Sequence, residues 1–270
     1  MKRLELFEFE DFNWLASNIR TGATNLIMVL HRVIGTSEVL SSLLLQIKSK
    51  VDFTQIVDMG SGSGGPMLDT IQKVNKKLPE DAQISLLLSD LYPNEKTISD
   101  INRLNLPNIK YHSKSVNALK LDEIPKGLKT MIASFHHMKP QVAKQILEKA
   151  EKSGEPFLIY EIAQNNVPVL AWWLLLPISL LILIIMSLFM TPFVKPLKFQ
   201  QLLFTYIIPV IPLVYAWDGQ ASLMRTYTFD DVRELLGNRT NTNYEWEMAD
   251  AKKENGKKAG YYVLGYPTTT

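Results

Sequence analysis

The sequence predicts an α/β fold: a mostly parallel sheet with helices on its faces, an antiparallel last strand and an apolar helical hairpin inserted late in the chain. Three observations predict it. Short apolar runs alternate with helically spaced segments over residues 51–166. A glycine-rich turn, GSGSGG, follows the first of those runs. An uncharged block, VPVLAWWLLLPISLLILIIMSLFM, then interrupts the pattern at residues 167–190.

A chain of 270 residues holds one α/β domain of ordinary size plus an insertion. Its net charge of +2 gives no strongly basic surface, so no nucleic-acid partner is expected. Cysteine is absent, which excludes disulfides and thiolate metal ligands, and no cluster of other ligands replaces them; no metal is expected. The opening MKRLELFEFEDFNW lacks the apolar core of a signal peptide, so the chain is expected to begin in the cytosol.

In residues 1–50, Leu40, Leu43, Leu44 and Ile47 fall at helical spacing and predict a helix lying on the domain. A second helix is predicted over residues 24–33. Trp14 and Arg20 are the first substrate-side candidates there, against the plainer reading of packing and a solvated face.

The stretch that organises the rest is QIVDMGSGSGGP, residues 55–66. Ile56-Val57 reads as a buried strand that ends at Asp58. Gly60, Ser61, Gly62, Ser63, Gly64 and Gly65 follow as a tight turn. Met67, Ile71, Val74 and Leu78 then recur at helical spacing. Small residues let backbone N–H groups approach a ligand, and the helix N-terminus adds a positive dipole end. Strand, turn and helix together predict a nucleotide-type site. Gly60, Gly62 and Gly65 satisfy the dinucleotide pattern G-x-G-x-x-G. Asp58, Gly60, Gly62 and Gly64 satisfy another, acid-x-Gly-x-Gly-x-Gly. A surface turn without a ligand is the bland alternative.

A second strand is predicted at residues 84–90, ending in Asp90, and a third at 109–112. The turn Ser115-Val116-Asn117-Ala118 follows. A fourth strand, 130–134, runs into Phe135-His136-His137-Met138, and Pro140 opens the next helix, where proline is tolerated. The fifth, 156–161, ends in Glu161. The pattern is strand then helix four times, then a fifth strand. After the apolar block, Thr228 reads as the N-cap of a helix with Asp230 and Asp231 in its first turn and Gly237 as its stop. Strands at 244–248 and 260–265 close the chain as a hairpin, joined by a basic turn.

The acid-and-glycine motif resembles the first motif of the Rossmann-like S-adenosylmethionine (SAM) methyltransferases, and the order of elements across residues 53–266 resembles theirs. The resemblance implies a seven-stranded sheet with helices on both faces and SAM as cofactor. It implies cofactor contacts at Asp58, Gly60, Ser61, Gly62, Gly64, Asp90, Leu91, Asn117 and Ser134. Asp90 takes the place of the acid that accepts from ribose hydroxyls. Asn117 stands where the family often carries an Asp that reads the adenine amino group; an amide oxygen accepts without charge. His136 or His137 would take a proton from the methyl acceptor. Glu161 would orient substrate or a histidine, or form only an ion pair. A carboxylate at Asp58 suits the sulfonium and amino group of SAM and would repel a pyrophosphate. A nicotinamide-dependent oxidoreductase is therefore disfavoured, and the antiparallel last strand disfavours it again. A non-catalytic scaffold of the same fold is the alternative to an enzyme.

The apolar block is long enough to span a bilayer, which takes ~20 residues. A short segment with Lys195 and Lys198 separates it from a second apolar run, 202–217, which contains Pro209 and Pro212. Trp172, Trp173, Tyr206, Tyr215 and Trp217 lie toward run ends, as interfacial aromatics do. A hydrophobic hairpin in a membrane is the direct reading. Two full spans would carry both lysines across, against the positive-inside tendency. A re-entrant or interfacial hairpin is the alternative, and a helical pair buried in a dimer interface is the third. The expected organisation is a helical lid at 1–50, a SAM-binding core at 51–166, the membrane hairpin at 167–217 and the end of the core at 218–270. A hairpin at the carboxyl edge of the sheet implies a lipophilic small molecule or lipid as acceptor, with the catalytic domain on the cytoplasmic side of the membrane.

Overall fold

The computed structural model describes residues 1–237 and 243–268; residues 238–242 and 269–270 of the expected last segment lie outside them. The chain divides into two units. One comprises Met1, Gly35–Ala163 and Phe229–Thr270, the other Lys2–Ile34 and Gln164–Thr228. The division expected from sequence is drawn differently: residues 35–50 belong with the first unit, and residues 164–166 and 218–228 with the second.

The first unit is built on β1 (Gln55–Met59), β2 (Ser85–Ser89), β3 (Ile109–Tyr111), β4 (Leu128–Ile132), β5 (Phe157–Glu161), β6 (Tyr244–Lys252) and β7 (Lys258–Pro267). They form one seven-stranded sheet in the order β3-β2-β1-β4-β5-β7-β6. The first five strands are parallel, and β7 runs antiparallel between β5 and β6. The chain steps outward from β1 through β2 to β3, then returns to the other side of β1 as β4. The switch point between β1 and β4 is where open α/β sheets bind ligands, at the carboxyl ends of the strands.

Helices cover both faces, which is why the strands read as continuous apolar runs. On one face α2 (Thr36–Lys48) packs against α3 (Met67–Asn75). Their Leu40, Leu44, Ile47, Ile71 and Val74 form a core with Ile56, Leu86, Leu88, Leu128 and Leu158 of the sheet. Each such side chain contributes ~1.5–3 kcal/mol by leaving water. On the other face α5 (Pro140–Ser153) packs against α9 (Phe229–Leu236), burying Ile146, Leu147, Val232 and Leu235. Between β2 and β3 lies α4 (Glu95–Arg103), whose N-cap Asn94 accepts from Thr97 N–H at 3.0 Å.

The regular strand–helix alternation fails once. Residues 112–125 cross from β3 to β4 as a loop with a single short turn at Leu121–Glu123. A cavity of about 260 Å³ lies under this loop, lined by Val57, Leu87, Val116, Asn117 and Ile124 among others; a helix of normal girth would fill it. The fourth strand also ends two residues earlier than its sequence predicts, at Ile132. Ala133 turns to φ +51°.

In the second unit α1 (Ser17–Ile34), α6 (Val169–Met190) and α8 (Val210–Arg225) pack together. Leu15, Ile19, Leu26 and Val29 meet Met190, Ile211, Val214 and Tyr215 in its core. The first apolar run is one helix: residues Val169–Phe193 are long and apolar enough to cross a membrane, and only 11% of their most apolar window is buried. The second run is not. It begins as α7 (Phe199–Leu202) and a π turn at Leu203–Ile207, then bends by 80° into α8. Pro209 stands at the break, where it removes a backbone donor. Beyond Trp217 the helix continues inside the unit through polar contacts. Asp218 accepts from the N–H groups of Phe9 (2.7 Å) and Glu10 (3.2 Å). Gln220 accepts from Trp172 Nε1 at 2.9 Å. Arg225 pairs with Glu8 at 3.0 Å and Asp11 at 2.7 Å.

Candidate functional site

The site grows from the end of β1. Asp58 is 3% exposed. Its Oδ1 accepts from Thr130 Oγ1 at 2.6 Å and its Oδ2 from Ser61 Oγ at 2.7 Å. Thr130 lies opposite Asp58 in the β1–β4 register, so the bond follows from strand pairing. Ser61 is tied to β2 as well: its N–H donates to Ser89 O at 2.9 Å, and its Oγ accepts from Ser89 N at 3.2 Å. Asp58 thus works from beneath the turn, fixing it to both neighbouring strands. Burial pushes its carboxyl up to about 7; the Thr130 and Ser61 hydroxyls pull the other way, and the Asp90 charge adds to the rise.

Two glycines in the turn have reasons that only glycine meets. Gly60 sits at φ +71°, and a Cβ on it would lie 3.3 Å from the Ser134 side chain. Gly62, at φ +51°, would point a Cβ into open space, the space a ligand's close approach requires. Its N–H donates to Asp90 Oδ2 at 3.0 Å. Gly64 N–H returns to Ser61 O at 2.8 Å and closes the turn.

Asp90 follows β2. Besides Gly62 it accepts from Tyr92 N–H, at Oδ1, 2.8 Å. The next residue, Leu91, is exposed, and its carbonyl accepts from Ser115 Oγ at 2.7 Å; that bond brings the β2 and β3 loops together. Asn117 Oδ1 accepts from Leu119 N–H at 2.9 Å, which leaves its second lone pair and its amide N–H groups for a ligand. Ser134 lies across the switch point from Gly60, buried, with Oγ 3.4 Å from Met59 O. Ala133 before it holds its left-handed conformation through an N–H bond to Tyr160 O at 2.7 Å. Such a residue costs ~1–3 kcal/mol, and strain of this kind collects at functional sites.

Two residues further on, a short 3₁₀ turn carries Phe135–His137. His136 is 7% exposed and Glu161, at the end of β5, is 3% exposed. Glu161 Oε1 accepts from His136 N–H at 3.0 Å, and Oε2 lies 2.9 Å from His136 Nδ1. Of the roles expected for Glu161, the geometry is that of orienting a histidine: both oxygens engage His136. The His137 ring is 4.2 Å from that of His136. Asp58, Asp90 and Glu161 place three carboxyl groups at the carboxyl ends of β1, β2 and β5, a field that suits a cationic ligand.

Sequence reasoning passed over two residues. Tyr111, at the end of β3, donates its Oη to Gly62 O at 2.9 Å and braces the turn from the far side. Burial raises its phenol pKa, as do the charges of Asp90 and Asp58. Thr130 carries the bond to Asp58. A hydroxyl just ahead of the apolar pair Met131-Ile132 was the available signal for it.

The predicted residues are divided between the two units. Trp14 and Arg20 belong to the second unit. There Trp14 stacks on Phe12 at 5.5 Å, and Arg20 donates to Phe12 O at 2.8 Å and to Glu10 O. A cavity of about 540 Å³ opens among Gln55, Ser85, Asn102 and Asn108, at the amino ends of β1 to β3; no predicted site residue lines it. Of the predicted residues, Asn117 alone lines the 260 Å³ cavity.

No protein-family model matches the chain, and no curated protein matches it. Solved structures do. The plantazolicin methyltransferase BamL, in complex with a triazolic desmethylPZN analog and SAH, is 12% identical with a TM-score of 0.51, covering 93% of this chain and 98% of that one. The plantazolicin methyltransferase BpumL in complex with SAH is 12% identical with a TM-score of 0.50, at the same coverage. BpumL with a pentazolic desmethylPZN analog and SAH is 13% identical, again at 0.50. At these identities the likeness defines the fold: the chain has the Rossmann-like methyltransferase fold.

Proposed function

We propose that this chain is a SAM-dependent methyltransferase that works at a membrane surface on a lipophilic small molecule or lipid. The observation that carries the reading is the glycine turn at the switch point, where Gly62 leaves room for a ligand and Asp58, Asp90 and Tyr111 hold the backbone around it. The residues fit SAM: a small-residue cradle, a nearby acid at the end of β2, and a negative local field for a cation. The neighbouring structures contain SAH, which supports the same cofactor here.

Gly60, Ser61, Gly62 and Gly64 would hold the cofactor's amino-acid end, Asp90 and Leu91 its ribose, and Asn117 its base, with Ser134 closing the crevice. SAM, when bound, supplies a methyl group on an already cationic sulfur. The chain's part is then to align the acceptor and receive its proton. His136 is the base in this reading. Its Nδ1–H donates to Glu161, which fixes the tautomer that presents the lone pair on Nε2. Glu161 is the positioning residue. His137, with its ring against His136, packs beside the base.

The exposed α6 supports a membrane location and an oily acceptor, with the first unit on the cytosolic side, where SAM is found. The test is transfer of labelled methyl from SAM into a lipid extract. Labelled lipid of one-methyl greater mass supports the reading. SAM binding without transfer to any extract would favour a scaffold of the same fold.

A further inference from the structure

One apolar stripe runs the whole length of α6. Leu170, Leu174, Ile178, Ile182, Ile185 and Phe189 recur at helical spacing and are each between 44% and 74% exposed. The opposite side of the helix is buried at Trp172, Leu176, Ser187 and Met190. At 22 residues the helix is ~33 Å long, enough to cross a hydrocarbon core of ~30 Å. Length therefore permits a span, and the way the chain is threaded decides against one.

The chain passes from the first unit into the second at Gln164 and from the second into the first after Ile34. The first of these points precedes α6 by five residues. The other lies at the opposite end of the helix: Arg32 Nη2 donates to Phe193 O, just past α6, at 3.2 Å. Arg32 and Ile34 are two Cα–Cα steps apart, at most ~7.6 Å of chain. Residues 35–163 between these points fold as one unit on one sheet. A single folded unit lies on one side of a bilayer. Both ends of α6 are then held on that side.

We infer that α6 lies in the plane of a membrane, with its stripe sunk into one leaflet, and does not cross. This rests on the membrane reading above. The polar groups at the distal end agree with it. Arg32, Lys195 and Lys198 are exposed beside Phe193 and Phe199, which are 64% and 75% exposed. Cations among aromatics at interfacial depth suit anionic headgroups. The bent second leg fits as well, because a chain that turns by 80° at Pro209 and then buries Asp218 and Arg225 within the unit is not one straight return span.

The absence of natural cysteine makes the test direct. Single cysteines are placed in the full chain in α7, beyond the distal end of α6 (Gln200→Cys), in α5 (Lys149→Cys), and along the stripe (Leu174→Cys, Ile182→Cys, Phe189→Cys). The protein is bound to sealed vesicles of phosphatidylcholine and phosphatidylglycerol and recovered by flotation. A membrane-impermeant maleimide should label positions 200 and 149 together without detergent. A bimane probe at 174, 182 and 189 should report one shallow depth. Floating protein in which only one of positions 200 and 149 labels before detergent, or in which 182 alone is deep, would overturn the in-plane placement. Protein that never floats would overturn the membrane reading itself, and a dimer by sedimentation would then assign the stripe to a second copy of the chain.

Discussion

Asp58→Asn isolates the electrostatics of the turn. The folded carboxyl titrates near 7, against 3.8 for the ordinary group, chiefly because it is buried. An acid raised in the folded state costs nothing where both states are protonated. The cost appears as pH climbs past 3.8, because the unfolded chain ionises first, and is complete above about 7. The interval corresponds to ~4 kcal/mol at most. Asparagine keeps the shape: its oxygen still accepts from Thr130, and its N–H₂ can donate to Ser61 Oγ. The variant should therefore gain on the natural chain steadily between pH 4 and pH 7, by up to ~4 kcal/mol, on top of any constant offset. Urea denaturation of both proteins across that range measures the difference, in which the other titrating groups cancel. Parallel stability curves would refute the reasoning. The same linkage makes SAM affinity rise with pH through about 7, since a bound cation favours the ionised carboxylate; in Asp58→Asn that pH dependence should vanish.

Three further substitutions separate the parts. Gly62→Val places a side chain where the cradle is open, at a left-handed position costing ~1–2 kcal/mol; it should weaken SAM binding at least ~100-fold by calorimetry and leave vesicle flotation unchanged. Tyr111→Phe removes the bond to Gly62 O, worth ~1 kcal/mol, so SAM should bind about fivefold more weakly, with the fold intact by circular dichroism. Glu161→Gln keeps a partner for His136 but not its charge; kcat should fall ~10- to 100-fold while SAM affinity stays within about twofold, and a fall in affinity alone would remove Glu161 from the chemistry.

Local signals carried most of the sheet unit. The turn was legible because glycine is favoured where φ turns positive, and Gly60 and Gly62 both stand there. Asp90 was legible as the acid that ends a strand. The helix expected between β3 and β4 came from extrapolating a rhythm. The residues themselves, Ser115 to Pro125, hold an Asn117 turn and short apolar spacings that do not sustain one. Thr130 and Tyr111 matter only through partners 72 and 49 residues away, which spacing alone does not reveal. The second unit was hardest. Asp218 reads as a return to water at the end of an apolar run, yet it binds the backbone of Phe9, 209 residues distant. Contacts of this kind, together with the continuous helix Val210–Arg225, place residues 218–228 with the second unit. The break at Pro209, by contrast, was visible in the sequence.

The central claim is that the turn after β1 holds SAM. Calorimetric titration of the full chain with SAM, SAH and NADH tests it most directly. The account predicts saturable heats for SAM and SAH, lost in Gly62→Val, and none for NADH. Binding of NADH alone, or of none of the three, would contradict it.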